Sequence, residues 1–165
     1  MLRRFMAIGV ATLLLAVVAG PALAATSSFK AVIHEDFGRR ASARTCVVVA
    51  AGLRCDGDGP VEGYGTVTSQ AIYTAGGITG VRTLTFADGS TLGLAEIHTA
   101  NAFPGNSHDV PGRPGTIGRP NRDTFTWTVT GGTGAFAGAT GSGTGASVLA
   151  GDELTFWFTG SVSVP

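Results

Sequence analysis

Thr124-Phe-Thr-Trp-Thr-Val-Thr130 alternates without a break, with Phe125, Trp127 and Val129 at one set of positions and four threonines at the other. Successive side chains of an extended chain point to opposite faces, so this period of two predicts a strand buried on one side and wet on the other. The pattern recurs outward from there. Leu154, Phe156 and Phe158 repeat it near the C-terminus, and Val162 and Val164 continue beyond Gly160. Residues 91–99 put Leu92, Leu94, Glu96 and His98 on one face, and 81–86 precede them through Ala87-Asp88-Gly89-Ser90. Asp-Gly between two such runs is a strong hairpin signal. Residues 29–37, 61–68 and a hairpin flanked by two cysteines supply further strands. No stretch joins helical periodicity to good helix formers, so the chain reads as all-β. Many short strands with glycine-rich turns mean a sandwich or a barrel.

The first 24 residues read as an address rather than as structure. Arg3 and Arg4 precede an apolar run from Met6 to Val18, Gly20-Pro21 breaks it, and Ala22-Leu23-Ala24 ends on small residues. These are the parts of a secretory signal peptide cleaved before Ala25. The run is shorter than the roughly 20 apolar residues a bilayer span requires. The expectation is an exported protein, secreted or periplasmic, with one mature domain at 25–165. Its net charge falls from zero to −2 once Arg3 and Arg4 are removed. No basic stripe for nucleic acid and no polybasic segment for a membrane surface remains. Outside the cytosol, two cysteines normally pair. Cys46 and Cys55 flank Val-Val-Val-Ala-Ala-Gly-Leu-Arg, and a hairpin centred on Ala50-Ala51 sets them opposite each other as a structural disulfide. A metal pair or a redox dithiol would need C-x-x-C spacing or further ligands.

Val129-Thr-Gly-Gly-Thr-Gly134 mimics the turn that opens Rossmann nucleotide sites. Such a site needs a helix next and an acidic residue about 20 positions on. Here the turn leads into Ala139-Thr-Gly-Ser-Gly-Thr-Gly145, a poor helix at roughly 1 kcal/mol lost per glycine, and only 20 residues remain after it. Nucleotide binding is excluded. As a hairpin the segment is coherent: a turn over 130–134, then a strand over 135–144 whose small residues permit bending.

Residues 128–144, Phe86-Ala-Asp-Gly-Ser-Thr-Leu92 and the ending Leu154-Thr-Phe-Trp-Phe-Thr-Gly-Ser-Val-Ser-Val-Pro165 resemble the allene oxide cyclase barrel and the related dirigent proteins, most of all a secreted bacterial branch. The resemblance covers about residues 63–165 and implies a closed eight-stranded antiparallel β-barrel of calycin-like type. Allene oxide cyclase closes a ring in a fatty-acid epoxide without a cofactor, and dirigent proteins steer the coupling of phenoxy radicals. Their functional residues lie outside the matching segments, so no catalytic residue is carried over.

The chemistry visible in the strands centres on Arg82, Glu96 and His98. Matching Leu84 and Phe86 to Leu92 and Leu94 sets Arg82 opposite or diagonal to Glu96, with His98 one step further along. Charges on an apolar face must be paired or reach water. They read either as the polar end of a ligand pocket, with His98 and Glu96 able to act as an acid–base pair, or as an ion pair at the barrel mouth. His34 and Asp36 share a face with Lys30 and Val32 and read as outward surface. With His98 they lack the spacing of a metal site, no G-x-S-x-G marks a nucleophile, and no cofactor is expected. Residues 101–123 hold four prolines and read as a long loop, in which Arg113, Arg119 and Arg122 form either an anion-binding lid or solvated charge. Three functions stay open: a barrel binding a small apolar or aromatic ligand, a cofactor-free isomerase or cyclase, and a structural barrel filled by its own side chains.

Overall fold

The computed structural model describes residues 25–36, 46–74, 78–99, 121–150 and 153–165. The expected signal peptide at residues 1–24 lies outside them, as do Arg113 and Arg119. Nine strands follow in order: β1 (Ala25–Asp36), β2 (Cys46–Val49), β3 (Gly52–Val61), β4 (Gly65–Tyr73), β5 (Thr79–Thr85), β6 (Thr91–His98), β7 (Asn121–Thr133), β8 (Thr140–Ala150) and β9 (Glu153–Val164). Each pairs antiparallel with its neighbour, in the order β1-β9-β8-β7-β6-β5-β4-β3-β2. A further pairing, Ala31 with Val61 and Glu35 with Gly57, joins β1 to β3 and closes eight strands into a barrel. The ninth strand, β2, lies along β3 beyond the point where β1 ends. Closure leaves the eight barrel strands no free edge.

The expected hairpins form, with shifted limits. Cys46 and Cys55 pair directly across β2 and β3 and are joined by a disulfide. Asp88-Gly89 turns between β5 and β6, with Gly89 at φ +82°, a conformation that favours glycine. The glycine-rich turn falls later than 130–134. β7 runs on to Thr133, one turn of 3-10 helix spans Gly134–Phe136, and β8 begins only at Thr140. Residues 61–68 are divided by a turn at 62–64, and the last three residues of the expected loop at 101–123, including Arg122, belong to β7. Strand pairing decided these limits, because threonine and glycine serve equally in a turn and in a bent strand.

The two ends of the barrel differ. The tight turns after β3, β5 and β7 gather at one end, where Phe86 stacks on Phe136 at 4.4 Å and Tyr64 packs against both. At the other end β1, β4, β6 and β8 finish and β5, β7 and β9 begin. Between the ends the interior is filled. Phe29, Ile33, Leu84, Leu92, Leu94, Phe125, Trp127, Phe156 and Phe158 are each no more than 2% exposed. Trp127 has room because β8 and β9 carry glycine beneath it: a Cβ on Gly143 or on Gly160 would come within 2.5 Å of its ring. Its indole N–H donates to the Thr144 carbonyl at 3.1 Å. Among the described residues no helix is long and apolar enough to cross a membrane.

Gly143→Ala would also drive its methyl to 2.1 Å from the Thr159 carbonyl oxygen. Overpacking of this kind should cost about 1–3 kcal/mol. The neighbouring outward Thr144→Ala should stay within about 0.5 kcal/mol of the parent in the same urea titration.

Candidate functional site

Inward-facing residues change character along the barrel in the same direction on five strands. On β1 Phe29, Ala31 and Ile33 lead to Glu35; on β4 Val67 leads to Ser69, Ala71 and Tyr73; on β5, read backwards, Leu84 leads to Arg82. On β6 Leu92 and Leu94 lead to Glu96 and His98, and on β7, again read backwards, Trp127 and Phe125 lead to Asp123. All of them are buried. The polar ends meet at the end of the barrel where β1, β4 and β6 finish.

Arg82 is the centre of that layer. Its Nε donates to Glu96 Oε1 at 2.6 Å, its Nη1 to Glu35 Oε1 at 2.6 Å and to Ser69 Oγ at 2.7 Å, and its Nη2 to the Tyr73 hydroxyl. The guanidinium lies over Phe156, 4.5 Å from the ring centre, and 5.3 Å from that of Phe158. Its planar fork serves several acceptors at once while an aromatic face covers it, which an ammonium group could not match. His98 extends the network outward, with Nε2 3.3 Å from Glu96 Oε2 and Nδ1 2.6 Å from Asp123 Oδ2. Thr99 donates its hydroxyl to Asp123 Oδ1 at 3.1 Å.

Three carboxyl groups thus face two cationic side chains, and the imbalance falls on Glu35. Burial pushes its pKa up to about 7, against the opposing pull of Arg82. Its second oxygen, Oε2, is buried and has no hydrogen-bond partner. Burial works on Glu96 in the same sense, but the charge of Arg82 and the bond to His98 hold it below the usual carboxylate range. Burial pulls His98 down, and its bonds to Glu96 and Asp123 more than offset this, so it is held above its ordinary value. Tyr73 is pushed well above the normal phenol value, by burial first.

Arg82, Glu96 and His98 therefore come together as their alternation predicts. Arg82 pairs across the strands with Leu94, which leaves it diagonal to Glu96. His34 and Asp36 face outward, and His34 Nδ1 sits 2.7 Å from Glu153. Glu35, Ser69, Tyr73 and Asp123 were missed. The first three stand two residues from buried apolar positions and were legible by the same period, whereas Asp123 was hidden by assigning its segment to a loop. The Glu35 carboxylate and the two cysteine sulfurs lie within 4.8 Å of one another, but the sulfurs are joined to each other and offer no thiolate to a metal. A groove of about 370 Å³ lies over β3–β5, lined by Asp56, Asp58, Gln70 and Thr83 and bordered by Ser69 of this network.

No family model and no curated protein matches the sequence. Among solved structures, the pterocarpan synthase dirigent protein GePTS1 matches with a TM-score of 0.51 over 93% of this chain and 99% of that one, at 15% identity. The fold is a dirigent-like barrel. At that identity the likeness extends to the fold alone.

The network makes the dirigent-like barrel most stable at mildly acidic pH. Glu35 and His98 have raised values, so what they contribute is complete below their unfolded values of 4.5 and 6.5 and is lost as pH rises, for Glu35 through about 7. Glu96 is lowered, so its contribution is present above 4.5 and lost as pH falls through its folded value. Urea midpoints should peak near pH 5 and fall toward pH 8, with Glu35 accounting for at most about 3 kcal/mol. Glu35→Gln, uncharged throughout, should show a shallower decline over the same range.

Proposed function

We propose that this chain is an exported, dirigent-like barrel that takes up a small apolar or aromatic molecule at the end where β4 and β6 finish, with Arg82, Glu96 and His98 as the polar floor of the site. The reading is carried by Glu35 Oε2, a buried acceptor without a partner beside that floor. Leaving such an atom unpaired costs about 1–3 kcal/mol, which a ligand donor would recover. Aromatic neighbours suit the same occupant, since Phe125 and Phe156 flank His98 with ring centres at 4.9 and 6.3 Å. A pocket that is apolar with a few placed polar groups is the usual form of a small-molecule site. Its structural neighbour is described as a pterocarpan synthase, a small-molecule role on the same fold, and that support is one of analogy. Export rests on the leader-like residues 1–24 and agrees with the disulfide.

The filled middle of the barrel favours a second reading, a structural barrel with no ligand. Native mass spectrometry of the protein from an exporting host, with solvent extraction, separates the two. A discrete co-purifying mass released on denaturation supports the ligand reading; a bare polypeptide mass, with no uptake of an uncharged naphthylamine dye, supports the structural one. Glu96→Ala should weaken dye or ligand binding at least tenfold, while Asp36→Ala, on the outer face, should match the parent. Equal affinities in all three proteins would remove Glu96 from the site.

A further inference from the structure

The Cys46–Cys55 disulfide lies against the buried Glu35 carboxyl. On β3 the buried residues Cys55 and Gly57 stand two apart on one face. Gly57 pairs with Glu35 on β1, and Cys55 pairs with Cys46 on β2, which takes the place of β1 along β3 beyond Asp36. Glu35 and the two cysteines are therefore neighbours, and a carboxylate oxygen and both sulfurs lie within 4.8 Å of one another. Gly57 makes room for the acid, since a Cβ there would come within 2.9 Å of Glu35 Cγ. Glu35 Oε1 accepts from Arg82 Nη1 at 2.6 Å, whereas Oε2 is buried and has no hydrogen-bond partner. Glu35 and Cys55 are fully buried. Cys46 is half-buried, on a strand of four residues that pairs, among the described strands, with β3 alone.

We propose that reduction of this disulfide by a dithiol opens a zinc site formed by the Cys46 and Cys55 sulfurs and Glu35 Oε2. One thiolate of the dithiol attacks Cys46 Sγ and expels the Cys55 thiolate. Its second thiolate then displaces Cys46, so the reductant leaves as a disulfide and two electrons pass to the cysteines. Each cysteine gives up its proton to solvent on binding the metal. Two thiolates and a carboxylate suit zinc, which takes sulfur and oxygen together and can keep a fourth position for water; magnesium and calcium favour oxygen alone. The sulfurs must part to about 3.8 Å, the separation of two tetrahedral ligands each about 2.3 Å from the metal. The short strand β2, held by β3, is the element that makes this shift. Arg82 grips the other carboxylate oxygen, orienting the ligand from behind and offsetting the one negative charge that three anionic ligands leave on a divalent ion. In the oxidised protein Oε2 stays an open acceptor, so the inference stands apart from the ligand reading, which concerns that form.

The test uses the full protein from an exporting host, reduced with dithiothreitol and freed of it under nitrogen, then titrated with cobalt(II) as a coloured stand-in for zinc. A thiolate-to-cobalt charge-transfer band that saturates at one cobalt per chain and is bleached by zinc is expected, with no such band from the oxidised protein. Glu35→Gln, which keeps both cysteines, should weaken zinc binding at least tenfold in competition with a chromophoric chelator. Asp36→Asn, on the outer face, should match the parent. Circular dichroism of the reduced proteins checks that the barrel persists. Absence of the band, loss of the barrel on reduction, one cobalt shared between two chains, or equal zinc affinity in Glu35→Gln and the parent overturns the proposal.

Discussion

A buried guanidinium organises the polar half of this barrel. Arg82 sends hydrogen bonds to side chains on β1, β4 and β6 and lies against two aromatic rings on β9. Arginine remains charged under all ordinary conditions, so a fully buried one must be surrounded by acceptors and anions. That requirement explains why Glu35, Glu96, Ser69 and Tyr73 converge on one layer. It also explains why two acids bonded to the same group titrate in opposite directions. Glu96 has both Arg82 and His98, while Glu35 has Arg82 but also an oxygen left without a partner.

Such a layer is an expensive way to stabilise a core, since well-packed apolar side chains often serve as well or better. Its position is informative for that reason. Inside the barrel, the plugged end is aromatic, the middle is aliphatic and aromatic, and the buried charges lie at the end where β1, β4 and β6 finish.

Glycine shapes the opposite wall. Where β8 and β9 face the core they carry Gly143, Gly145 and Gly160, and the space a Cβ would take is occupied by the rings of Trp127 and Phe125. The side chains of those strands then face outward as threonine, serine and Trp157.

Alternation alone was enough to read the sequence as all-β, to set Phe125 with Trp127 and Phe156 with Phe158 on common faces, and to bring Arg82 opposite or diagonal to Glu96, because the period of a strand is local and the Asp88-Gly89 turn sets one register. The same logic reached Cys46 and Cys55, which lie within one hairpin. It did not reach the meeting of Glu35 with Arg82 or of His98 with Asp123. Those contacts depend on which strand closes the barrel and on where β7 begins, and both are set by pairing between segments distant in the chain. Which end of the barrel is polar was likewise settled only in three dimensions, once five strands running in alternate directions brought their polar termini to one rim.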